Sequence, residues 1–438
     1  MGKVVKLEPT AASKSQGKRR ARAIAARGVG QQASLDRRRR PRPDKTALVL
    51  GGGGFTGGVY EIGALRALDL LAANSSINQF DVYVGTSAGS FIAALCANGV
   101  SPEEMMRVVT RQGKAPFKDI NLNDLLRPNV VEFARKGALI PLRAVSLARN
   151  VVSQWGAVSL MDVFLGLAEG LPSGAYTGAG IERYLHGVLS EPGRSDDFRK
   201  LGCELYITAT DLDTCERVVF GVDGSDDVPI STAVRASGAL PMVYSPVRVK
   251  DRELIDGGIV STTNLDIAVE AGAKFVVVIN PIVPFVNDFE TTVRTLRGTR
   301  RRRVSDMGFP QIGYQAFKLV AHQRLHELAK GWEQRYPGVD IVLIEPEPTD
   351  ELMFQTSMMN FASRVEIARH GFESVTEHLA GEYDRYEEVA KRHGIEISAK
   401  RVRKVLEKMH AESGQVSAWR RILEGTTSAL LRQAGSAS

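Results

Sequence analysis

The stretch Thr46–Leu65, TALVLGGGGFTGGVYEIGAL, places four consecutive glycines, Gly51–Gly54, between an apolar run and a helix-like pattern. Glycine loses more backbone freedom on folding than any other residue, so four in a row at an element junction cost stability. The usual reason is that something must approach the main chain closely there, the candidates being a phosphate, a dinucleotide, or the oxyanion of a reaction intermediate. TALVL reads as a buried strand, and from Tyr60 apolar residues recur at helical spacing (Ile62, Leu65, Leu68, then Leu71 or Ala72). The glycines thus occupy the turn of a strand–loop–helix unit.

Three chemistries use such a loop. A dinucleotide site is met literally, since Gly52, Gly54 and Gly57 satisfy G-x-G-x-x-G between strand and helix. That fingerprint also needs an acid at the end of the following strand, to hold a ribose hydroxyl. The next strand, FDVYVG (Phe80–Gly85), carries its acid, Asp81, at the opposite end, so the match is incomplete. A P-loop is excluded, because Gly57 is followed by Gly58 rather than by lysine.

The third chemistry starts where that second strand ends. GTSAG (Gly85–Gly89) is G-x-S-x-G at a strand-to-helix turn, the context of a nucleophile elbow. A serine on a sharp turn exposes its Oγ, and Gly85 and Gly89 leave room for that turn. The helix that follows aims N–H groups and a positive dipole end at the reacting centre. A tight Gly/Ser turn is the bland alternative. A nucleophilic Ser87 generates an oxyanion, to which bare N–H groups of Gly52, Gly53 and Gly54 can donate.

A serine needs a base. The seven histidines lie in polar, helix-like surroundings, and none sits on a short loop after a strand. A conventional Ser-His-Asp arrangement would need one of them, with His322 or His326 favoured by chain order. Among the carboxylates, Asp256 in RELIDGGIVSTTNL ends a short apolar run and is followed by Gly257 and Gly258. It reads either as an ordinary Asp-Gly turn or as a base held against the serine by that turn.

Further along, ELYITATDLDT (Glu204–Thr214), RVVFG (Arg217–Gly221), KFVVVIN (Lys274–Asn280) and VDIVLIEP (Val339–Pro346) read as strands, the last two covered on both faces. Their alternation with helical segments predicts an α/β sheet with helices on both sides. A stripe of Tyr314, Phe317, Ala321, Leu325, Leu328 and Trp332 predicts a helix that is core packing or a dimer contact, or else a lid or membrane-facing element.

Charge is unevenly spread. Residues 1–45 hold fourteen Lys/Arg against three Asp/Glu, so the net +7 of the chain divides into +11 there and about −4 elsewhere. Such a tail predicts disorder, serving either as a solubilising arm or for adhesion to an anionic membrane or nucleic acid; the membrane is favoured over nucleic acid. RTLRGTRRRR (Arg294–Arg303) reads as an exposed loop or a second bilayer-attracting segment. Cys96, Cys203 and Cys215 lack metal-ligand spacing and predict reduced thiols in a cytoplasmic protein. No apolar run reaches transmembrane length, and the first thirty residues hold no signal-peptide core.

With the glycine loop, G-x-S-x-G and D-G-G in this order, the chain resembles the patatin-like phospholipases. ASGALPMVYSPVRV (Ala236–Val249) and TTNLDIAVEAGAKFVVVINP (Thr262–Pro281) also look like that family. The resemblance covers roughly residues 45–285 and reaches toward the strand near Ile344. It implies a three-layer α/β/α fold, to which the helical patterns from Gly313 to Trp332 and from about Phe361 onward add a helical insertion and a helical C-terminal extension. The corresponding division is a basic tail at 1–44, a catalytic domain at 45–385 with a helical, basic insertion at 286–338, and an extension at 386–438. It also implies a Ser87–Asp256 dyad, an oxyanion hole of Gly52, Gly53 and Gly54, no metal or organic cofactor, and a phospholipid or other fatty acyl ester as substrate. Peripheral attachment to a membrane follows from such a substrate. A catalytically weak lipid-binding protein on the same fold is the alternative. Where the family commonly has G-G-G-x-[Arg/Lys]-G, this chain has Thr56 at the basic position, and one extra residue precedes Tyr60-Glu61-Ile62-Gly63. The missing cation bears on oxyanion stabilisation and on headgroup preference.

Overall fold

The computed structural model describes residues 44–111, 117, 120, 126–136, 172–287, 292–295, 298–301, 303–350, 352–353, 361–407 and 409. The basic tail up to residue 43 and the Ser/Ala/Gly-rich C-terminus lie outside the described residues. So do residues 137–171 of the helical region expected before Leu189.

Strand β1 (Thr46–Leu50) alternates its side chains between two cores, as a strand covered on both faces must. Leu48 and Leu50 join one apolar cluster, and Ala47 and Val49 the other. The strands that follow are β2 (Val82–Thr86), β3 (Gly174–Tyr176), β4 (Glu204–Asp211), β5 (Arg217–Phe220), β6 (Met242–Tyr244), β7 (Val247–Val249), β8 (Arg252–Asp256), β9 (Phe275–Ile279), β10 (Thr292–Thr295), β11 (Gly298–Arg301) and β12 (Asp340–Ile344). The main sheet runs β12-β9-β1-β2-β4-β8-β7, with β5 also paired to β4. Its β12-to-β4 portion is parallel, while β5, β7 and β8 are antiparallel to their neighbours.

Helices cover both faces, as the β-rich runs require. On one side lie α1 (Gly54–Leu71), α2 (Ala88–Ala97), α3 (Pro102–Thr110), α4 (Ala179–Leu189) and α5 (Ile230–Ser237), and on the other α6 (Leu265–Glu270). The result is an α/β architecture of three layers. The helix expected from Gly313 to Trp332 runs from Phe309 to Ala329 and is called α7; Trp332 starts a separate short turn. Arg294–Arg303 is not a plain loop, since most of it belongs to the antiparallel pair β10–β11, which starts at Thr292 and sets Thr295 opposite Gly298.

After β12, α8 (Arg364–Gly381) crosses α1 at very close range. A Cβ on Gly63 would lie 2.0 Å from the carbonyl oxygen of Ala368, and one on Gly371 would lie 2.4 Å from that of Tyr60. The two glycines let the helix backbones meet, which a larger residue on either side would prevent. Beyond it α9 (Tyr383–Arg392) leads to His393, buried and stacked on Phe275 with its nitrogens facing Asp44 and Asp340. That histidine differs from the solvated helix-face residue its polar sequence surroundings suggest.

Candidate active site

Each element of the site is where its sequence puts it locally; their meeting is the work of the sheet. β2 pairs with one edge of β4 through Thr86↔Thr208, where β2 ends. β8 takes over that same edge at the next position, antiparallel, with Asp256 opposite Ala209. Ser87 follows Thr86 directly, so both side chains arrive at one point above β4. The Ser87 hydroxyl donates to Asp256 Oδ2 at 2.5 Å.

Ser87 stands at φ 53, ψ −125, a conformation that costs a non-glycine residue about 1–3 kcal/mol. Its surroundings hold it there. The Ser87 N–H donates to Ser237 Oγ at 2.8 Å, and Ser90 Oγ donates to the Ser87 carbonyl. The flanking glycines are sterically required. A Cβ on Gly85 would sit 2.4 Å from Ser90 Cα, and one on Gly89 would sit 2.3 Å from the Gly51 carbonyl oxygen. α2 begins immediately after the serine, so its positive end faces the hydroxyl.

Asp256 is buried, with Oδ1 accepting from the Gly258 N–H at 2.7 Å. Burial raises its pKa from 3.8 to about 6, against the lowering effect of the Ser87 and Gly258 hydrogen bonds. Gly257 is needed for a separate reason: a Cβ there would lie 2.3 Å from the Thr208 carbonyl oxygen.

The glycine loop closes the third side. A Cβ on Gly52 would lie 3.3 Å from Ser87 Cβ and 3.8 Å from its Oγ. Gly53 and Gly54 adopt φ 140 and 64, which L-residues avoid. Among the described residues the N–H groups of Gly52, Gly53 and Gly54 have no protein acceptor, and the last two open the positive end of α1. Thr56, in the position where the family commonly carries a cation, is buried in the first turn of α1.

Ser87, Asp256 and the glycines border a cavity of about 170 Å³. Its wall is largely apolar, with Phe91, Leu95, Met105, Val108, Ile282 and Phe317 among its side chains. Arg235, Asp256 and Arg364 are the charged residues of the described wall, and no histidine is among them. Tyr314 and Phe317 reach the cavity from α7, so the front of the expected stripe walls the site; Leu325 is buried and Leu328 is exposed. His326 instead pairs with Glu345 at 2.7 Å, away from Ser87.

Two positioning residues lie in sequence stretches that resemble the family but were assigned no role from sequence. Ser237, in ASGALP, fixes the elbow. Asn264, in TTNL, sits in the left-handed region and donates to Thr86 Oγ1 (2.9 Å), Thr208 Oγ1 (3.0 Å) and the Ser261 carbonyl (2.7 Å). Its own oxygen accepts from Arg217, which also grips Asp266 through two hydrogen bonds. This network ties the loop after Asp256 to the end of β2 and the interior of β4. A polar residue bounded by an apolar run was the available signal, but nothing local says where its amide points.

Comparison with known proteins bears on this arrangement. A viral protein described as a probable lipid hydrolase (Invertebrate iridescent virus 6) is 25% identical over 235 residues, spanning 53% of this chain and 65% of that protein. The human patatin-like phospholipase domain-containing protein 6 is 29% identical over 235 residues, which make up 53% of this chain but 13% of that one. The chain thus spans less than two thirds of these relatives. Among solved structures, VipD from Legionella pneumophila matches with a TM-score of 0.34 at 15% identity, over 77% of this chain and 67% of that one. The model of the family described as patatin-like phospholipase matches residues 48–269, a span that runs from β1 through the glycine loop, Ser87 and Asp256 into α6, and the chain belongs to that family.

Proposed function

We propose that the protein is a serine lipid acyl hydrolase that cleaves fatty acyl esters through an acyl-Ser87 intermediate. The observation that carries this reading is the 2.5 Å hydrogen bond from the Ser87 hydroxyl to Asp256, in the wall of an apolar cavity edged by three backbone N–H groups that have no acceptor among the described residues. As Ser87 Oγ attacks the acyl carbonyl carbon, its proton passes to Asp256 Oδ2. The N–H groups of Gly52, Gly53 and Gly54 receive the oxyanion. On collapse, the ester C–O bond breaks and the alcohol leaves with the proton from Asp256. Water then attacks the acyl-serine, gives its proton to Asp256, and releases the fatty acid as Ser87 recovers its hydrogen. An apolar cavity suits an acyl chain and leaves the polar end of the substrate toward solvent.

Adhesion of the basic segments to an anionic bilayer belongs to the same reading, with each cation near the surface contributing about 1 kcal/mol. No helix among the described residues is long and apolar enough to cross a membrane.

Hydrolysis of p-nitrophenyl esters of graded chain length tests the proposal on the wild type, Ser87→Ala, Asp256→Asn and the double variant His322→Ala/His326→Ala. The expected outcome is loss of at least about 10³-fold in the two single variants, with the histidine variant retaining turnover. A wild type that binds liposomes yet turns over no ester replaces the enzyme by the lipid-binding reading. Dependence on His322 or His326 would restore the histidine triad.

A further inference from the structure

We infer that His322, His326 and Glu345 form a binding site for one divalent metal ion of the zinc type. The two histidines are four residues apart on α7, so they share a face, and their ring centroids are 4.1 Å apart. Glu345 follows the last residue of β12 and meets them from the sheet edge. One ligating atom from each of the three lies within 4.8 Å of the other two, and His326 Nε2 is 2.7 Å from Glu345 Oε2. Tetrahedral zinc, with bonds of about 2.0–2.1 Å to nitrogen, needs donors roughly 3.3 Å apart, within reach of side-chain rotation.

The set also has an outer support. Asn280 Nδ2 donates to Glu345 Oε1 at 2.7 Å, which fixes the carboxylate plane and leaves Oε2 facing the histidines. Two imidazoles and one carboxylate select zinc, nickel, copper or cobalt over magnesium and calcium, which take all-oxygen sets. Glu345 is largely buried while His326 is part-exposed, so an ion can enter from solvent. Three protein ligands leave a fourth position for water.

The site is separate from Ser87 and Asp256, and it adds a second anchor to the cavity wall. α7 supplies Tyr314 and Phe317 to that wall from its first half, and the ion would bind its second half to β12. Asn280 connects the two places, since a Cβ on Gly51 would lie 3.2 Å from Asn280 Oδ1.

The test is calorimetric titration of the full, untagged chain with zinc chloride after dialysis against EDTA. His322→Ala and Glu345→Gln are run in parallel, and circular dichroism verifies folding. The expected result is one zinc per chain, weakened at least about 10-fold in each variant. Zinc should also raise the melting temperature of the wild type and not of the variants. Cobalt in place of zinc should give visible d–d absorption in the wild type alone. Absence of binding by the folded wild type overturns the inference, as does one-ion binding that both variants retain. If Glu345→Gln does not fold, His322→Ala, at a part-exposed position, decides alone.

Discussion

Replacing Asp256 by asparagine should stabilise the folded protein at neutral pH while abolishing turnover. Asparagine keeps the geometry: its Oδ1 can accept from Gly258, and its amide nitrogen can face Ser87 Oγ, which accepts in return. What it removes is a buried negative charge. The carboxyl is raised from 3.8 to about 6 by burial, so between those values the folded state holds a proton that the unfolded state has lost. Stability therefore falls as pH rises through that window, and the cost is complete above the folded value. At about 1.4 kcal/mol per pH unit the difference amounts to about 3 kcal/mol at pH 8, shrinking to about 0.5 kcal/mol at pH 4. Urea unfolding of wild type and Asp256→Asn at both pH values measures it, since other titrating groups cancel in the comparison. The variant should gain roughly 2–3 kcal/mol between pH 4 and pH 8 relative to the wild type. A difference that does not change with pH, or a variant less stable at pH 8, would refute the view of Asp256 as a desolvated carboxyl held for catalysis.

The same group should set the rate. In the proposed mechanism Asp256 must be ionised to accept the serine proton, so kcat/KM on a soluble ester should rise about tenfold per pH unit below about 6 and level off above it; a flat profile from pH 5 to 7 would exclude Asp256 as the base. Gly53→Ala forces a side chain into φ 140 with its Cβ 2.9 Å from Gly57 Cα, so the loop should shift. Turnover should then fall about 10²–10³-fold while the protein stays folded, as judged by circular dichroism. Gly63→Ala drives a methyl against the Ala368 carbonyl and should separate α1 from α8, lowering the urea midpoint by the equivalent of about 2–3 kcal/mol; an unchanged midpoint would mean that α8 is not packed as described.

The local parts of this protein were legible in its sequence because their causes are local. Four glycines after TALVL point to a close-approach loop. G-x-S-x-G between a strand and a small-residue helix can place its serine on a sharp turn, and D-G-G bends the chain within hydrogen-bond reach of its own aspartate. The β-branched runs Phe275–Ile279 and Asp340–Ile344 announce strands, and the first is buried on both faces as expected, whereas the second ends the sheet order and is only half-buried apart from Ile344. The sequence singled out Asp256 and the resemblance paired it with Ser87, but only the tertiary structure shows how they meet, because Asp256 lies 169 residues away and arrives by antiparallel pairing of β8 on an edge that β2 has just vacated. The same holds for Ser237 and Asn264, whose roles depend on where β4 sits between them. The stripe on α7 was readable as apolar, yet its front half became cavity wall while its histidines turned to the end of β12. Hydrophobic periodicity fixes which face of a helix is buried, and the sheet it lands on decides what that face is buried against.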